Sequence, residues 1–435
     1  MIHGNTRITL RNPISGNIIK DIESENTFQS TVIAKAFRGL GSATSNPLSN
    51  SETRNKALWK NMVGGIFLFD KSIPSNSQYM PKGTKMTANG SYNVTNGGVP
   101  TELGSWNESE SGASSSAITM VYDWNTSQGN GKIASVCLTS RVGGYIGYGN
   151  PSGGRMTRNG LKTFFEDKTL NAVNTLNNIE YAPRCIVGNT HFQFSLSQEN
   201  VLTVKQAHVP LSEASVFDWL EDSSTIDCSS LHYSQFRAYG FFACTDNGNI
   251  YLCPSLHGAI NQNAKIYVWE INPSTLAITE IEITNNSGSD ISMYGSSVSQ
   301  GKLFVQDRTT SNSFVFNLSN NNYLGQIPLG SIWATGFTAG NVHGGFTALC
   351  CGLDGSESGM VFYDDVNNTG YPTNGIDNST ESFVYDSTTD SLYLNGRYYL
   401  LAFNSPLYLA TINNITEVIK DATLSMKVRY TLSES

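Results

Sequence analysis

The sequence predicts a mainly β protein. Three observations carry that expectation. Charged residues make up only 14% of the 435, while 20 Tyr, 20 Phe and 40 Gly are present. That balance is unlike a disordered chain, which lacks the aromatics. Strand-length runs alternate apolar and polar residues, the period that puts one face on a core and the other in water. Between the runs stand turn pairs such as Asn247-Gly248, Gln300-Gly301 and Asp354-Gly355, which supply the left-handed positions of tight hairpins. The length allows two or three domains with ample core.

In chain order, residues 1–23 read as a hairpin. Ile8 and Leu10 alternate with Arg7, Thr9 and Arg11, the cluster Asn12-Pro13-Ile14-Ser15-Gly16-Asn17 turns the chain, and Ile18 to Ile22 returns. Asn26 or Thr27 then caps a short helix. Phe28, Val32 and Ala36 share its apolar stripe, as do Ile33 and Phe37, and Gly39 ends it. A hairpin and helix this small have little core of their own, so residues 1–40 are expected to pack on the next domain or on a partner chain. Residues 41–155 form the next domain. Its strands are the continuous apolar run within Gly64 to Asp70, the alternating run Ile118 to Trp124, and Ala134 to Thr139. Gly143-Gly144 is expected to be a tight hairpin turn, with Tyr145 and Tyr148 just beyond it at a domain boundary.

From 180 to 411 the chain reads as successive hairpins. Phe241–Cys244 pairs with Ile250–Cys253, Lys302–Val305 is followed by Ser313–Phe316, Phe346–Leu349 pairs with Met360–Tyr363, and Phe383–Tyr385 pairs with Leu392–Leu394. Units of roughly 40–60 residues with three or four strands are what a β-propeller requires. A propeller-like domain is therefore expected here, with a β-sandwich as the alternative. The last stretch alternates Met426, Val428, Tyr430 and Leu432 with Lys427, Arg429 and Thr431. A strand this regular belongs in a sheet, and residues 412–435 are expected to return to the N-terminal domain.

The formal net charge is −8 and no Lys/Arg cluster interrupts it. This disfavours nucleic acid and anionic membranes as partners. No apolar run approaches the roughly 18 residues of a membrane-spanning helix. Met1 to Asn5 lacks the basic and apolar regions of a signal peptide, so synthesis in a cytoplasm is expected. The seven cysteines are an odd number and do not suit a disulfide framework. Cys244 and Cys253 flank a hairpin turn and are read as two small buried residues that face each other.

No Gly-x-Ser-x-Gly elbow and no Gly-Lys-Ser/Thr phosphate loop occurs. The six His show no zinc spacing; His232 and His257 could converge, but a hydrogen-bonded structural role is the simpler reading. No metal and no cofactor is expected. Glu221-Asp222 beside Trp219, and Asp364-Asp365, are adjacent carboxylates that point to opposite faces of a strand, so neither pair alone serves glycoside hydrolysis. Carbohydrate binding needs only aromatic faces and Asn/Asp side chains. Trp333, Tyr371, Asn374, Tyr398 and Tyr399 are the candidates.

Four stretches resemble virion proteins of tailed phages. They are Met1–Leu10 with its turn Arg11–Asn17, Gly64–Pro74, Val121–Thr139, and the ending Met426–Glu434. The likeness covers roughly 1–150 and 405–435. It implies a tail, baseplate or fibre component and brings no catalytic residues with it. The resulting expectation is a non-enzymatic virion protein, made in the host bacterial cytoplasm. Ile8, Leu10, Phe28, Val32 and Phe37 would attach it to other virion proteins. The 180–411 region would bind host cell-surface polysaccharide. A symmetric homo-oligomer is expected, a trimer first. The alternatives are a head or neck decoration protein without receptor binding, and a glycan depolymerase.

Overall fold

The computed structural model describes residues 2–27, 63–98, 101–114, 117–139, 141–146, 183–208 except 189, 222–237, 240–255, 258–328 except 311 and, with short interruptions, 337–434. They hold thirty strands and two short helices. The chain divides into two compact units. Unit 1 comprises Met1–Glu166, Asp364–Asn367 and Ser405–Ser435; unit 2 comprises Asp167–Tyr363 and Asn368–Asn404.

Unit 1 is built on two antiparallel sheets. Its main strands are β1 (Ile2–Arg11), β2 (Ile18–Thr27), β3 (Gly65–Phe69), β4 (Met86–Ser91), β5 (Ala117–Trp124), β6 (Gly131–Thr139), β7 (Asn413–Lys420) and β8 (Ser425–Glu434). The first sheet runs β2-β1-β8-β5, with the short strands Ser105–Trp106 and Gly112–Ala113 on the far side of β5; the second runs β7-β6-β3-β4. The alternation in each strand decides what lies between them. Ile8 and Leu10 of β1, Met120, Tyr122 and Trp124 of β5, and Met426, Val428, Tyr430 and Leu432 of β8 share one core with Ile66 and Leu68 of β3, Ile133, Val136 and Leu138 of β6, and Val418 of β7. Each such burial contributes about 1.5–3 kcal/mol, so this sandwich has a substantial core of its own.

Strand β8 lies between β1 and β5. Val428 stands opposite Ile8 on one side and Tyr122 on the other. The polar tips of the large rings are satisfied within the core. Tyr122 Oη donates to the Gly64 carbonyl at 3.0 Å, Trp124 Nε1 donates to the Glu102 carbonyl at 3.0 Å, and Tyr430 Oη donates to Asn413 Oδ1. Residues 2–27, part of the segment expected to pack on the next domain or on a partner chain, form two strands of this sheet. The helix expected at 26–39 lies outside the described residues.

Gly143-Gly144 is not a hairpin turn. It sits in a helix, α1 (Arg141–Ile146), that follows β6. The glycine serves close packing instead of a turn. A Cβ on Gly144 would come within 2.1 Å of the Gly90 carbonyl oxygen and 2.6 Å of the Gly65 Cα. That approach lets Asn89 Nδ2 donate to the Gly144 carbonyl at 2.7 Å and Ser91 Oγ to the Arg141 carbonyl at 2.8 Å, which satisfies two carbonyls of a helix too short to satisfy itself. Tyr145 lies in α1, and Tyr148 lies outside the described residues.

Unit 2 corrects the propeller expectation. Its strands form five open antiparallel sheets of four, four, five, four and three strands, spanning 184–227, 241–284, 258–328, 337–376 and 380–403. Among the described residues each sheet keeps two free edges, and no strand closes the set into a propeller. The three-stranded sheet 380–403 gains no strand from either end of the chain, because β1 and β8 are committed to unit 1. The rhythm of hairpins that suggested blades arises in any set of open sheets made from near-consecutive strands. The hairpins themselves pair as read: Phe241–Asp246 with Asn249–Pro254, Lys302–Asp307 with Asn312–Asn317, Thr347–Cys351 with Ser358–Asp364, and Thr380–Asp386 with Ser391–Gly396. One strand leaves its sequence neighbours. Gly258–Ile260 skips the 241–284 sheet and pairs with Ile291–Ser299 of the next.

Candidate attachment surface

The turn of the first hairpin is built by Asn12. Its Oδ1 accepts the Ile14 and Ser15 N–H groups at 2.9 and 3.0 Å, and its carbonyl accepts the Gly16 N–H at 2.9 Å. Gly16 takes φ +73°, which only glycine adopts without strain. Ile14, at the apex of this turn, is 95% exposed.

The register then slips. Leu10 stands opposite Lys20, but Arg11 stands opposite Ile18, so Ile19 is a bulged residue with no partner. A bulge re-aims side chains and puts two neighbours on one side of the strand. Ile18 and Ile19 are accordingly both exposed, at 50% and 58%. Turn and bulge together leave three isoleucines in water at the tip of this hairpin.

Beyond the bulge β2 alternates strictly. Ile22 packs on the sandwich core, Lys20 Nζ donates to the Glu417 carbonyl at 2.8 Å, and Ser24 Oγ donates to the Asn414 carbonyl at 3.1 Å. The opposite face carries Asp21, Glu23 and Glu25, across from Thr9, Arg7 and Asn5. Arg7 donates to both oxygens of Asp21 and lies 3.6 Å from Glu23. Those hydrogen bonds hold the Asp21 carboxyl below its ordinary pKa. Further along the same outer face, Lys427 and Arg429 of β8 both bind Glu110, and the hydrogen bond from Lys427 holds Glu110 below the usual range. Strand β2 is the last strand of its sheet and pairs only with β1 among the described residues.

Of the residues expected to attach the chain, Ile8 and Leu10 are each 1% exposed and serve the domain's own core. Phe28, Val32 and Phe37 lie outside the described residues. The exposed apolar residues of the hairpin are the three that the alternation does not single out. Ile14 belongs to a turn, and the bulge at Ile19 leaves no mark in the local pattern.

Two of the five candidate glycan residues fall among the described residues. Tyr371 and Asn374 lie on the strand Thr369–Ile376, while Trp333, Tyr398 and Tyr399 fall outside the described residues, as do Trp219, Glu221 and His257. Asp364, in unit 1, is spent on a turn. Its oxygens accept N–H groups from Val366 at 3.0 Å, Asn367 at 3.3 Å and Gly83 at 2.8 Å. Asp365 pairs with Lys82 at 2.7 Å.

In unit 2, His232 lies flat on Tyr267, with ring centroids 3.8 Å apart. Glu280 binds it twice, accepting from its backbone N–H at 2.7 Å and meeting its Nδ1 at 2.6 Å, and also accepts from Trp269 Nε1 at 3.0 Å. Burial pushes the Glu280 carboxyl up, but these donors outweigh it and leave the carboxyl below its ordinary pKa. The cluster locks the loop before Ser234–Arg237 onto the sheet 241–284. Cys244 and Cys253 face each other with sulfurs 3.9 Å apart, both buried and free. Among the described residues no group of three or more His, Cys, Asp or Glu is arranged to hold a metal ion.

No protein-family model matches the chain, and no curated protein does. Solved structures with some likeness include a putative 6-phosphogluconolactonase from Bacteroides uniformis, 9% identical over 83% of this chain and 98% of that one, with a TM-score of 0.30. Another is a glutaminyl cyclase from Myxococcus xanthus, 10% identical over 53% and 87%, with a TM-score of 0.29. A third belongs to a nidogen/laminin complex, 12% identical over 53% and 80%, with a TM-score of 0.31. Likeness of this order assigns neither a fold nor an activity to the chain.

Proposed function

We propose that the chain is a non-enzymatic virion protein of a tailed phage, a tail, baseplate or fibre component. In this reading unit 1 attaches it to other virion proteins and unit 2 carries recognition of host-surface polysaccharide. The observation that carries the proposal is the first hairpin of unit 1. A well-packed sandwich leaves Ile14, Ile18 and Ile19 in water beside a strand edge that has no partner among the described residues. Exposed apolar residues grouped on an otherwise polar rim mark a contact surface. The resemblance of residues 1–150 and 405–435 to virion proteins falls on the same unit. The acidic balance supports protein and glycan partners over nucleic acid.

The test is quantitative mass spectrometry of gradient-purified particles of the phage that encodes the chain, followed by incubation of the purified chain with host envelope polysaccharide. The reading expects the chain at a fixed copy number per particle, retention of polysaccharide, and no new reducing ends. Absence from particles overturns it. New reducing ends assign a depolymerase instead.

A further inference from the structure

We infer that the free edge of β2 docks an extended strand of a partner protein that carries Lys or Arg at alternate positions. The inference rests on the attachment reading and names the chemistry of its partner. The Ser24 carbonyl accepts from Asn413 Nδ2 at 3.3 Å; beyond it, an edge strand offers backbone N–H and C=O groups that an added strand takes up in a ladder. Acidic residues alone would read as an edge blunted against aggregation. Here the same strand also exposes Ile18 and Ile19, with Ile14 at the turn, and a blunted edge has no use for them.

Charge decides the occupant. The outer face of β2 reads Asp21, Glu23, Glu25 at the two-residue spacing of a strand. From β1, Arg7 pairs with Asp21 and Glu23, and Arg11 adds a weaker attraction on Asp21. Glu25 stands opposite Asn5, with no cation paired to it among the described residues. A second copy of β2 is a poor occupant. Antiparallel self-pairing centred on residues 21 to 23 sets acid across from acid: Asp21 on Asp21, Asp21 on Glu23, or Glu23 on Glu23. Like charges directly opposite destabilise a ladder. A strand with Lys or Arg at every second residue neutralises the row.

Hydrogen exchange of residues 18–27 in the full chain tests this. The probes are two blocked ten-residue peptides, one alternating Lys with Val, the other Glu with Val. In the free chain at low concentration the outward amides of β2 are expected to exchange quickly. The Lys peptide should slow them at least tenfold, the Glu peptide should leave them unchanged, and 0.5 M salt should remove the difference by screening. The double substitution Glu23→Lys and Glu25→Lys changes two exposed side chains and should reverse the preference.

Four outcomes overturn the inference. They are slow exchange in the free chain, slowing that follows protein concentration alone, no response to either peptide, and a reversed variant that still selects the Lys peptide. A chain present in particles but unresponsive here keeps the attachment reading and loses the inference. A chain missing from particles that still selects the Lys peptide loses the reading and keeps the recognition chemistry.

Discussion

The two units solve the same problem, burial of one face of a sheet, by different routes. In unit 2 most sheets are made from consecutive strands, and a turn of a few residues sets each register. In unit 1 the sheets are assembled from distant parts of the chain. Strand β8 joins β1 more than four hundred residues away, and β7 completes a sheet with β6, β3 and β4. Local pairing closes short loops at small entropic cost, whereas the sandwich forms only when remote strands arrive together. Unit 1 therefore stands or falls as a whole.

The comparison breaks most visibly if β8 is removed. Truncation after Thr423 takes away Met426, Val428, Tyr430 and Leu432, four core residues at about 1.5–3 kcal/mol each. That sum rivals the whole stability of an ordinary domain. Limited proteolysis should then digest residues 2–146 while fragments of 184–328 persist. Equal survival of both regions would remove the distinction.

Two glycines sharpen it next. Gly144→Ala drives a Cβ into the Gly90 carbonyl and should cost about 3 kcal/mol in a urea titration. Gly248→Ala meets nothing within 4 Å and strains only its own φ of +80°. It should cost about 1–2 kcal/mol.

An effect of similar size concerns Lys420 of β7, which is 1% exposed and donates to Asn130 Oδ1 at 2.6 Å. Burial lowers its pKa to about 8. The unfolded chain holds this proton more tightly, so the stability of unit 1 should rise between about pH 8 and 10.5, by an amount on the order of 2 kcal/mol. Lys420→Met should flatten that rise, read from urea midpoints at pH 7 and 10.

The smallest effect belongs to unit 2. Glu280 has a depressed pKa, so its contribution is present above the ordinary carboxylate value and is lost as pH falls through the acid range. Glu280→Gln should cost about 1 kcal/mol at pH 7 and little at pH 3, measured by the fluorescence of Trp269.

This contrast also explains what could be read in the residues. Asn247-Gly248 announces its hairpin because the turn needs left-handed backbone at both positions, and both have it, at φ 49° and 80°. Alternation in Met426–Leu432 likewise announces a strand with one buried face. What such patterns leave open is which surface covers that face. Ile8 and Leu10 alternate as core residues do, whether the core is their own domain's or a partner's.

Long-range contacts are the ones that mislead. Gly143-Gly144 looks like a turn because its reason, the passage of β3 and β4 beside α1, lies more than fifty residues upstream. Asp246 resembles a surface acid, yet its oxygens accept the Gln300 and Gly301 N–H groups at 2.9 and 2.7 Å. The propeller expectation failed in the same way. Hairpin rhythm is local, and closure is not.

The most direct test of the account is a reconstruction of the intact particle at a resolution that traces strands. The account predicts unit 1 seated on a neighbouring virion protein, with residues 12–27 at the contact and an added strand along β2. Density for the chain with residues 12–27 facing solvent, or particles without the chain, would contradict it.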